Sequence, residues 1–541
     1  MAAPPLACPV CKAPALGTAI RRIVLGLALV WTGELAAAPA PPPEVGLAFF
    51  QSTNVHRFSV EVAPPDLLRL RENPRQDVRA TVRVGEEVFP DVALHLKGRT
   101  GSFRSVDDRP AMTLRFDKFA TGRTLQGLTR VHLNNSVEDP SYLHEALGAG
   151  LFLDAGVPAA RVTHALVKLN DRSLGLYVVK EGFTREFLGR FFRRADGTLY
   201  EHVPSATEDD QIRRELGSGP DDRQDLKALA GVLQEPDLKL RWARLQGILD
   251  LDRFLSFMAL EVMINHRDGY CFAANNYRIY HDPETERLVF LPHGMDQLFG
   301  RSDLRLISQM SGPAARSLLE IPEARRLYRA RAEVLFTNLF QEEALQARVS
   351  QAAARVRPGL EGQMAGEFDA QLALLRQRVA NRSAQLAHQL SQPEPTPLRF
   401  TNGIVHPVAW REVDVPAGGH LDRLPAPDGR PALHIVAGPA TAASWRSRVL
   451  LEAGRYRFEG QARTKGVRPL ATGRNRGAGL RVSSATLPQP HHLVGDSDWT
   501  AFGVEFEVGP TEAEAELICD LRAGSGEAWF DLESLTLLRV P

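Results

Sequence analysis

HRDGYCFAANNYRIYHDPETERLVFLPHGMDQLFG, residues 266–300, carries two acidic residues, Asp268 and Asp296, with the pair Asn275-Asn276 between them. From Asn276 to Pro292 the pattern predicts two strands around a turn: YRIY alternates, Asp282-Pro283-Glu284 is turn chemistry, and LVF is a short apolar run. Asp268 then precedes a hairpin and Asp296 follows it. A hairpin returns the chain close to where it started. Two carboxylates and a carboxamide can thereby converge on one cation. Mg²⁺ suits such a set, because it takes oxygen ligands from one or two carboxylates and fills its shell with water and phosphate.

Protein kinases place a base and a metal ligand on an H-R-D-x-x-x-x-N loop and a second metal-binding Asp in D-F-G. His266-Arg267-Asp268 is a literal HRD, and Asp296 through Phe299-Gly300 is a stretched echo of D-F-G. The Asn residues fall seven and eight positions after Asp268, not five. On spacing alone a second reading stays open: Asp268-Gly269 as a turn, the Asn pair as a turn or strand start, and Asp296 as the cap of a following helix.

Several landmarks in one order, from about Phe58 to Phe340, resemble the CotH kinase family. LHLKGRTGSFRS (94–105) resembles its RG-x-S-S-R segment, and RPAMTLRFDKF (109–119) its Lys-rich strand. Residues 125–171 resemble its L-x-LN, helix, G-x-P and strand, and LGLYVVKEGF (174–183) its GlY-x-x-x-E. NHRDGYCFAANNYRIY (265–280) and LPHGMDQLFG (291–300) resemble N-x-D…NyyLY and PWDxD-x-x-FG. The resemblance implies an atypical protein-kinase-like fold that binds ATP with Mg²⁺ or Mn²⁺ and phosphorylates a protein acceptor. It gives Asp268 the catalytic place, orienting or deprotonating the acceptor hydroxyl, and Asp296 and Asn276 the metal. This chain departs from the pattern: PWDxD becomes Pro292-His293-Gly294-Met295-Asp296, RG becomes Lys97-Gly98, and Arg109 stands where Lys is common.

The nucleotide-binding candidates are Lys97, Gly98, Ser102 and Arg104 on a glycine-containing loop, Arg115 on the strand TLRF, and Glu181. Glycines admit close backbone approach to an anion, and free N–H groups can cradle it; the same loop also reads as a polar hairpin turn. Arg115 can grip two phosphate oxygens or lie on a solvated strand face. Glu181 takes the part of the αC Glu of protein kinases or is an exposed strand-end acid.

The 541 residues suggest two or three domains. Lys and Arg (65) balance Asp and Glu (65), so no global field favours nucleic acid or an acidic membrane. Residues 1–40 are expected to be a signal peptide: Arg21-Arg22, then IVLGLALVW, too short to span a bilayer, then Ala36-Ala37-Ala38. The expected location is secreted, periplasmic or cell-surface, with no membrane span in the mature chain. Cys8 and Cys11 precede that cleavage point, and Cys271 and Cys519 supply no disulfide framework. Pro39 to Pro43 form a stiff start to the mature chain.

The expected fold class is α+β: a kinase-like domain with C-terminal helices over 45–392, a linker at 393–400 within SQPEPTPLRF, and an all-β jelly-roll sandwich over 401–541. Residues 50–119 are expected to be strand-rich, with a short helix at PDLLRLREN (65–73) and a turn at Gly85. A helix is expected over Ser141–Ala155, capped by Asp139 or Ser141. Helices are expected at 222–264, with ARLQGILDLDRFLSFMALEVMIN as one element, and at 313–392. Residues 400–541 show short alternating runs between turns. They resemble the galactose-binding-like sandwiches of carbohydrate-binding modules, which implies carbohydrate as a partner. Trp410, Trp445, Trp499 and Trp529 are its candidate sugar-stacking residues, with Trp529 also readable as core, and Asp531 is a candidate structural Ca²⁺ ligand.

Overall fold

The computed structural model describes residues 44–540, except 100, 203–211, 219, 361, 394–395, 473–474, 484–491 and 510–512. The expected signal peptide, Cys8, Cys11 and Pro39 to Pro43 lie outside the described residues.

The first part builds a barrel. Its elements are α1 (Leu47–Gln51), β1 (His56–Val62), α2 (Pro64–Glu72), β2 (Val78–Val84), β3 (Glu87–Lys97), β4 (Ala111–Arg115), β5 (Arg130–Asn134), α3 (His144–Asp154), β6 (Val162–Leu169) and β7 (Arg172–Glu181). The strands close in the order β1-β2-β3-β4-β5-β7-β6, with β6 meeting β1 in parallel. Alternation sorts the side chains. Leu94, Leu96, Met112, Leu114, Val131, Leu133, Tyr177 and Val179 share one apolar core. The residues between them form a polar row on the other face. In that row Thr113 is registered with His95 and His132, and His132 with Lys180.

The helix expected from Ser141 starts at His144 instead. Asp139 explains the start: its Oδ2 accepts the N–H of His144 at 2.9 Å, and its Oδ1 accepts the N–H of Ser141 at 3.0 Å. That satisfies donors a helix N-terminus leaves open.

A short α4 (Arg185–Leu188), β8 (Thr198–His202) and β9 (Ile212–Leu216) follow, then α5 (Gln224–Leu233), α6 (Leu238–Ile248), α7 (Leu251–Met263), α8 (Tyr270–Ala273), β10 (Tyr277–Asp282) and β11 (Arg287–Pro292). The hairpin expected around Asp282-Pro283-Glu284 is β10–β11, in a sheet ordered β11-β10-β8-β9. The single helix expected before it is two. Leu249 leaves the helix to bridge Leu288, and the Asp250 side chain accepts the N–H of Arg253 to start α7. Almost all of α7 is buried.

The helical tail is α9 (Pro313–Leu319), α10 (Pro322–Leu339), α11 (Glu342–Val356) and α12 (Gly362–Ser391). Its apolar residues join α3 and α7 in one core. Arg382 of α12 is fully buried in that core and donates to the carbonyls of Val262, Met263, Ser302 and Leu304. It thereby satisfies the last carbonyls of α7, which that helix cannot satisfy itself.

From Ile404–Val405 to Thr536–Val540 the described residues are strands joined antiparallel, with a separate core that includes Trp410 and Trp445. The chain is thus α+β with a β-rich C-terminal region. Cys271 and Cys519 are free and buried, in different cores. Among the described residues no helix is long and apolar enough to cross a membrane.

Candidate active site

The HRD segment leaves α7 through Asn265, which adopts a left-handed φ of 48°. His266 is fully buried and ties two loops together: its Nδ1 lies 3.1 Å from Glu261 Oε1 and its Nε2 3.0 Å from the Gly294 carbonyl. Burial pushes its pKa down, the Glu261 carboxylate pulls it up, and the balance is a raised value. Glu261 also accepts the N–H groups of Tyr270 and Cys271. The His of HRD is therefore a buried fastener.

Asp268 is half-buried and accepts N–H bonds from both carboxamides, Asn275 at 2.9 Å and Asn276 at 2.8 Å. The Asn276 Nδ2 also reaches the Gly294 carbonyl at 3.3 Å, and the Asn276 carbonyl accepts the N–H of His293 at 3.0 Å. Asn276 sits at φ 49°, a left-handed conformation Asn tolerates better than most residues. With its Nδ2 committed to Asp268, its Oδ1 is the atom left to meet a cation. Further bonds from Arg267 N–H to the Gln297 carbonyl and from Phe299 N–H to the Ile264 carbonyl close the two loops on each other. Asp268, Asn276 and the Asp296 segment are thus brought together.

The departure at Gly294 has a steric cause. Its φ is 58°, and a Cβ there would lie 2.6 Å from the Asn276 Cγ. Gly148 of α3 works similarly, since a Cβ there would lie 2.8 Å from Met295 Sδ. The Asp296 loop therefore packs directly on α3, where His144 Nδ1 donates to the Asp296 carbonyl at 2.8 Å. No helix follows Asp296, so it is not a cap.

Asp296 faces the polar row of the barrel. Burial raises its pKa to about 7, with the Glu145 and Glu138 carboxylates adding to the rise. Across from it, Lys97 donates to Asn134 Oδ1 at 2.6 Å, and burial beside Lys180 lowers its pKa to about 7. Lys180 of β7 donates to Glu145 of α3 at 2.6 Å, both nearly inaccessible. Arg278 of β10 is buried and bonded to Glu215 and Glu201. His132 and His293 are pushed well below the ordinary imidazole range by burial and by these cations. Buried atoms without a hydrogen-bond partner cluster among these residues: Glu145 Oε2, His132 Nε2, His293 Nδ1 and Arg278 Nη1. A buried polar atom left unpaired is costly; Arg278 Nη1 and the two imidazole nitrogens suit an anionic ligand, whereas Glu145 Oε2 can only accept.

The remaining sequence candidates are placed differently. Glu181 follows Lys180, so alternation turns it to the other face of β7. There it pairs with Arg161 at 2.7 Å and Arg190 at 2.6 Å. The strand-to-helix carboxylate is Glu145, which the sequence reading missed. HEALGAG on a capped helix opposite the Lys of LGLYVVKE was the available sign. Arg115 shares the outward face with Lys97 but is registered with Arg130, at the other end of β4. Arg104 folds back on its own loop, donating to the carbonyls of Gly101 and Phe103. Ser102 Oγ accepts the Arg99 N–H at 3.1 Å, and the Ser102 carbonyl accepts from Asn135. Gly98 turns the loop at φ 98°.

In the β-rich region Trp410 and Trp445 are core residues. Trp529 lies outside that core, buried between His434 and the Arg463 guanidinium, while Trp499 is half-buried under Arg430. Asp531 accepts the Glu533 N–H and lies 3.5 Å from Arg430 Nη1.

Comparison with known proteins gives four similarities. The family model described as CotH kinase protein matches residues 94–381. Inner spore coat protein H of Bacillus subtilis (strain 168) is 23% identical over 371 residues, which are 63% of this chain and 98% of that protein. Among solved structures, the Clostridium thermocellum xylanase 10B CBM22-1–GH10 modules with xylohexaose are 14% identical over 24% of this chain and 26% of theirs, TM-score 0.18. A CBM4 module is 15% identical over 24% of this chain and 86% of its own, TM-score 0.17. Likeness at those scores carries no argument about fold or ligand.

Proposed function

The chain belongs to the CotH kinase protein family, and on that premise we propose that it transfers the γ-phosphate of ATP to a protein acceptor outside the cytoplasm. The observation that carries this reading is the enclosed polar cluster between barrel, α3 and the Asp296 loop. It offers Lys97, Lys180 and Arg278 to an anion beside the unpaired buried atoms Arg278 Nη1, His132 Nε2 and His293 Nδ1. Those residues fit the phosphates, while Asp296 and the Asn276 Oδ1 are an oxygen set suited to Mg²⁺ or Mn²⁺. When bound, the metal–nucleotide supplies the transferable phosphoryl group and neutralises the charge that develops on it.

In this reading Lys180, held by Glu145, and Lys97 grip the phosphates. The Gly98–Arg104 loop, with Ser102, covers them, and its Arg104 swings from its own carbonyls to the ligand. Asp268, oriented by two carboxamides, takes the proton of the acceptor hydroxyl. Arg115 and Glu181 take no part: Arg115 sits at the far end of its strand, and Glu181 serves the Arg161–Arg190 pair. Residues 401–541 are read as a jelly-roll sandwich that holds carbohydrate, with Trp499 the most accessible of its four tryptophans and so the contact surface. The signal peptide, export and a secreted, periplasmic or cell-surface location complete the proposal.

The test is turnover of α- and γ-labelled ATP in parallel, with Mg²⁺ and Mn²⁺ and with Asp296→Ala as control. Label moving from γ-ATP alone, and lost in the variant, supports a phosphotransferase at this site. Transfer from α-ATP overturns the reaction type. No transfer and no nucleotide binding leaves a non-catalytic envelope scaffold.

A further inference from the structure

The geometry points to a binding site for one first-row divalent cation, Zn²⁺ in the first instance, formed by His420, Asp422 and His434 on the β-rich region. His420 and Asp422 are two apart on the edge strand His420–Asp422, so they share a face. His434, on the neighbouring strand Ala432–Val436, stands directly opposite Asp422. The ligand atoms of all three lie within 4.8 Å of one another.

The distances are close to those of a coordination shell. His434 Nδ1 is 3.0 Å from Asp422 Oδ1, and His420 Nε2 is 3.2 Å from Asp422 Oδ2. Zinc holds nitrogen and oxygen at about 2.0–2.2 Å, which separates tetrahedral ligand atoms by roughly 3.3–3.6 Å. Opening the two carboxylate contacts by a few tenths of an ångström, with the two imidazoles within 4.8 Å of each other, reaches that spacing around an ion.

The surroundings of His434 supply independent support. Its second nitrogen, Nε2, lies 3.1 Å from Glu527 Oε2. A carboxylate behind a metal-bound imidazole fixes the tautomer, so that Nε2 carries the proton and Nδ1 presents its lone pair. The ring is also stacked on Trp529 at 4.7 Å and 7°. His434 is therefore oriented before any ion arrives, while His420 is exposed and free to close over it. Two imidazoles and one carboxylate suit zinc rather than calcium, which takes oxygen ligands. Three protein ligands leave a fourth position to water, and the ion would pin a three-residue edge strand to its sheet.

The test uses the full chain, stripped with EDTA, re-dialysed against Zn²⁺ or Ca²⁺, and analysed for bound metal and thermal unfolding. His420→Ala is the main variant, because a side chain 59% exposed leaves the metal-free fold intact; Asp422→Asn is the second. The proposal expects about one more zinc per chain in the parent than in either variant. It also expects zinc at a hundred times its Kd to raise the unfolding temperature by about 5–10 °C in the parent alone. Equal zinc content in parent and variants overturns it and leaves a proton-held ion-pair network. A calcium response matching or exceeding the zinc response overturns it as well.

Discussion

Lys180 Nζ lies 2.6 Å from Glu145 Oε1, and this ion pair joins the barrel to helix α3. Both side chains are nearly inaccessible, at 2% and 4%. Breaking a buried pair leaves an uncompensated charge, whereas replacing both partners with apolar groups is often close to neutral. Lys180→Met or Glu145→Gln alone is expected to cost about 3–5 kcal/mol in urea unfolding. Lys180→Met with Glu145→Leu recovers most of that. Nucleotide binding, followed by calorimetry, is lost in all three variants. Recovery of binding in the double variant would show that the pair is purely structural.

Gly294→Ala meets two penalties. The backbone at φ 58° costs an L-residue roughly 1–2 kcal/mol, and the new Cβ strikes the Asn276 carboxamide. Gly85→Ala has the same φ of 58° with nothing within 4 Å, and it isolates the first penalty. The expectation is that Gly294→Ala loses more stability than Gly85→Ala, and that it alone lowers phosphotransfer by displacing Asn276 from Asp268.

Asp296 and Lys97 set opposite pH slopes on the ligand-free protein. Asp296 is raised from 3.8 to about 7, so between those values the folded state holds the extra proton and stability falls as pH rises. Lys97 is lowered from 10.5 to about 7, so the unfolded state holds the extra proton above pH 7 and stability recovers toward pH 10.5. Denaturant titrations from pH 4 to 10 are expected to show a minimum near neutrality. Asp296→Asn flattens the acid limb and Lys97→Met the alkaline limb. A minimum untouched by either variant would refute both assignments.

Arg382→Lys is expected to destabilise almost as much as Arg382→Met. A lysine presents a compact ammonium and cannot reproduce the planar fork that bonds Val262, Met263, Ser302 and Leu304 carbonyls. The loss is about 3 kcal/mol or more, since several buried acceptors go unpaired. Amide exchange is expected to quicken first at the α7 C-terminus and the following Asn265–Asp268 segment.

Local pattern determined much of this protein. Alternation in YRIY and LVF set the β10–β11 hairpin, and the carboxylates on either side of it meet because a hairpin must return. Ordered motifs between residues 94 and 300 carried the family. These are short-range features, written in spacing that any folded context preserves. Tertiary structure decided the rest. Which acid faces Lys180 depends on where α3 docks, and strand alternation turned Glu181 away without selecting Glu145. Gly294 departs from the family pattern for a reason only the fold supplies: a Cβ there would lie 2.6 Å from the Asn276 Cγ. His420 and Asp422 stand fourteen and twelve residues before His434, and only strand register sets His434 opposite Asp422. Long-range pairing leaves no local trace, because the partner's position is chosen by packing over the whole core and not by the residues on either side.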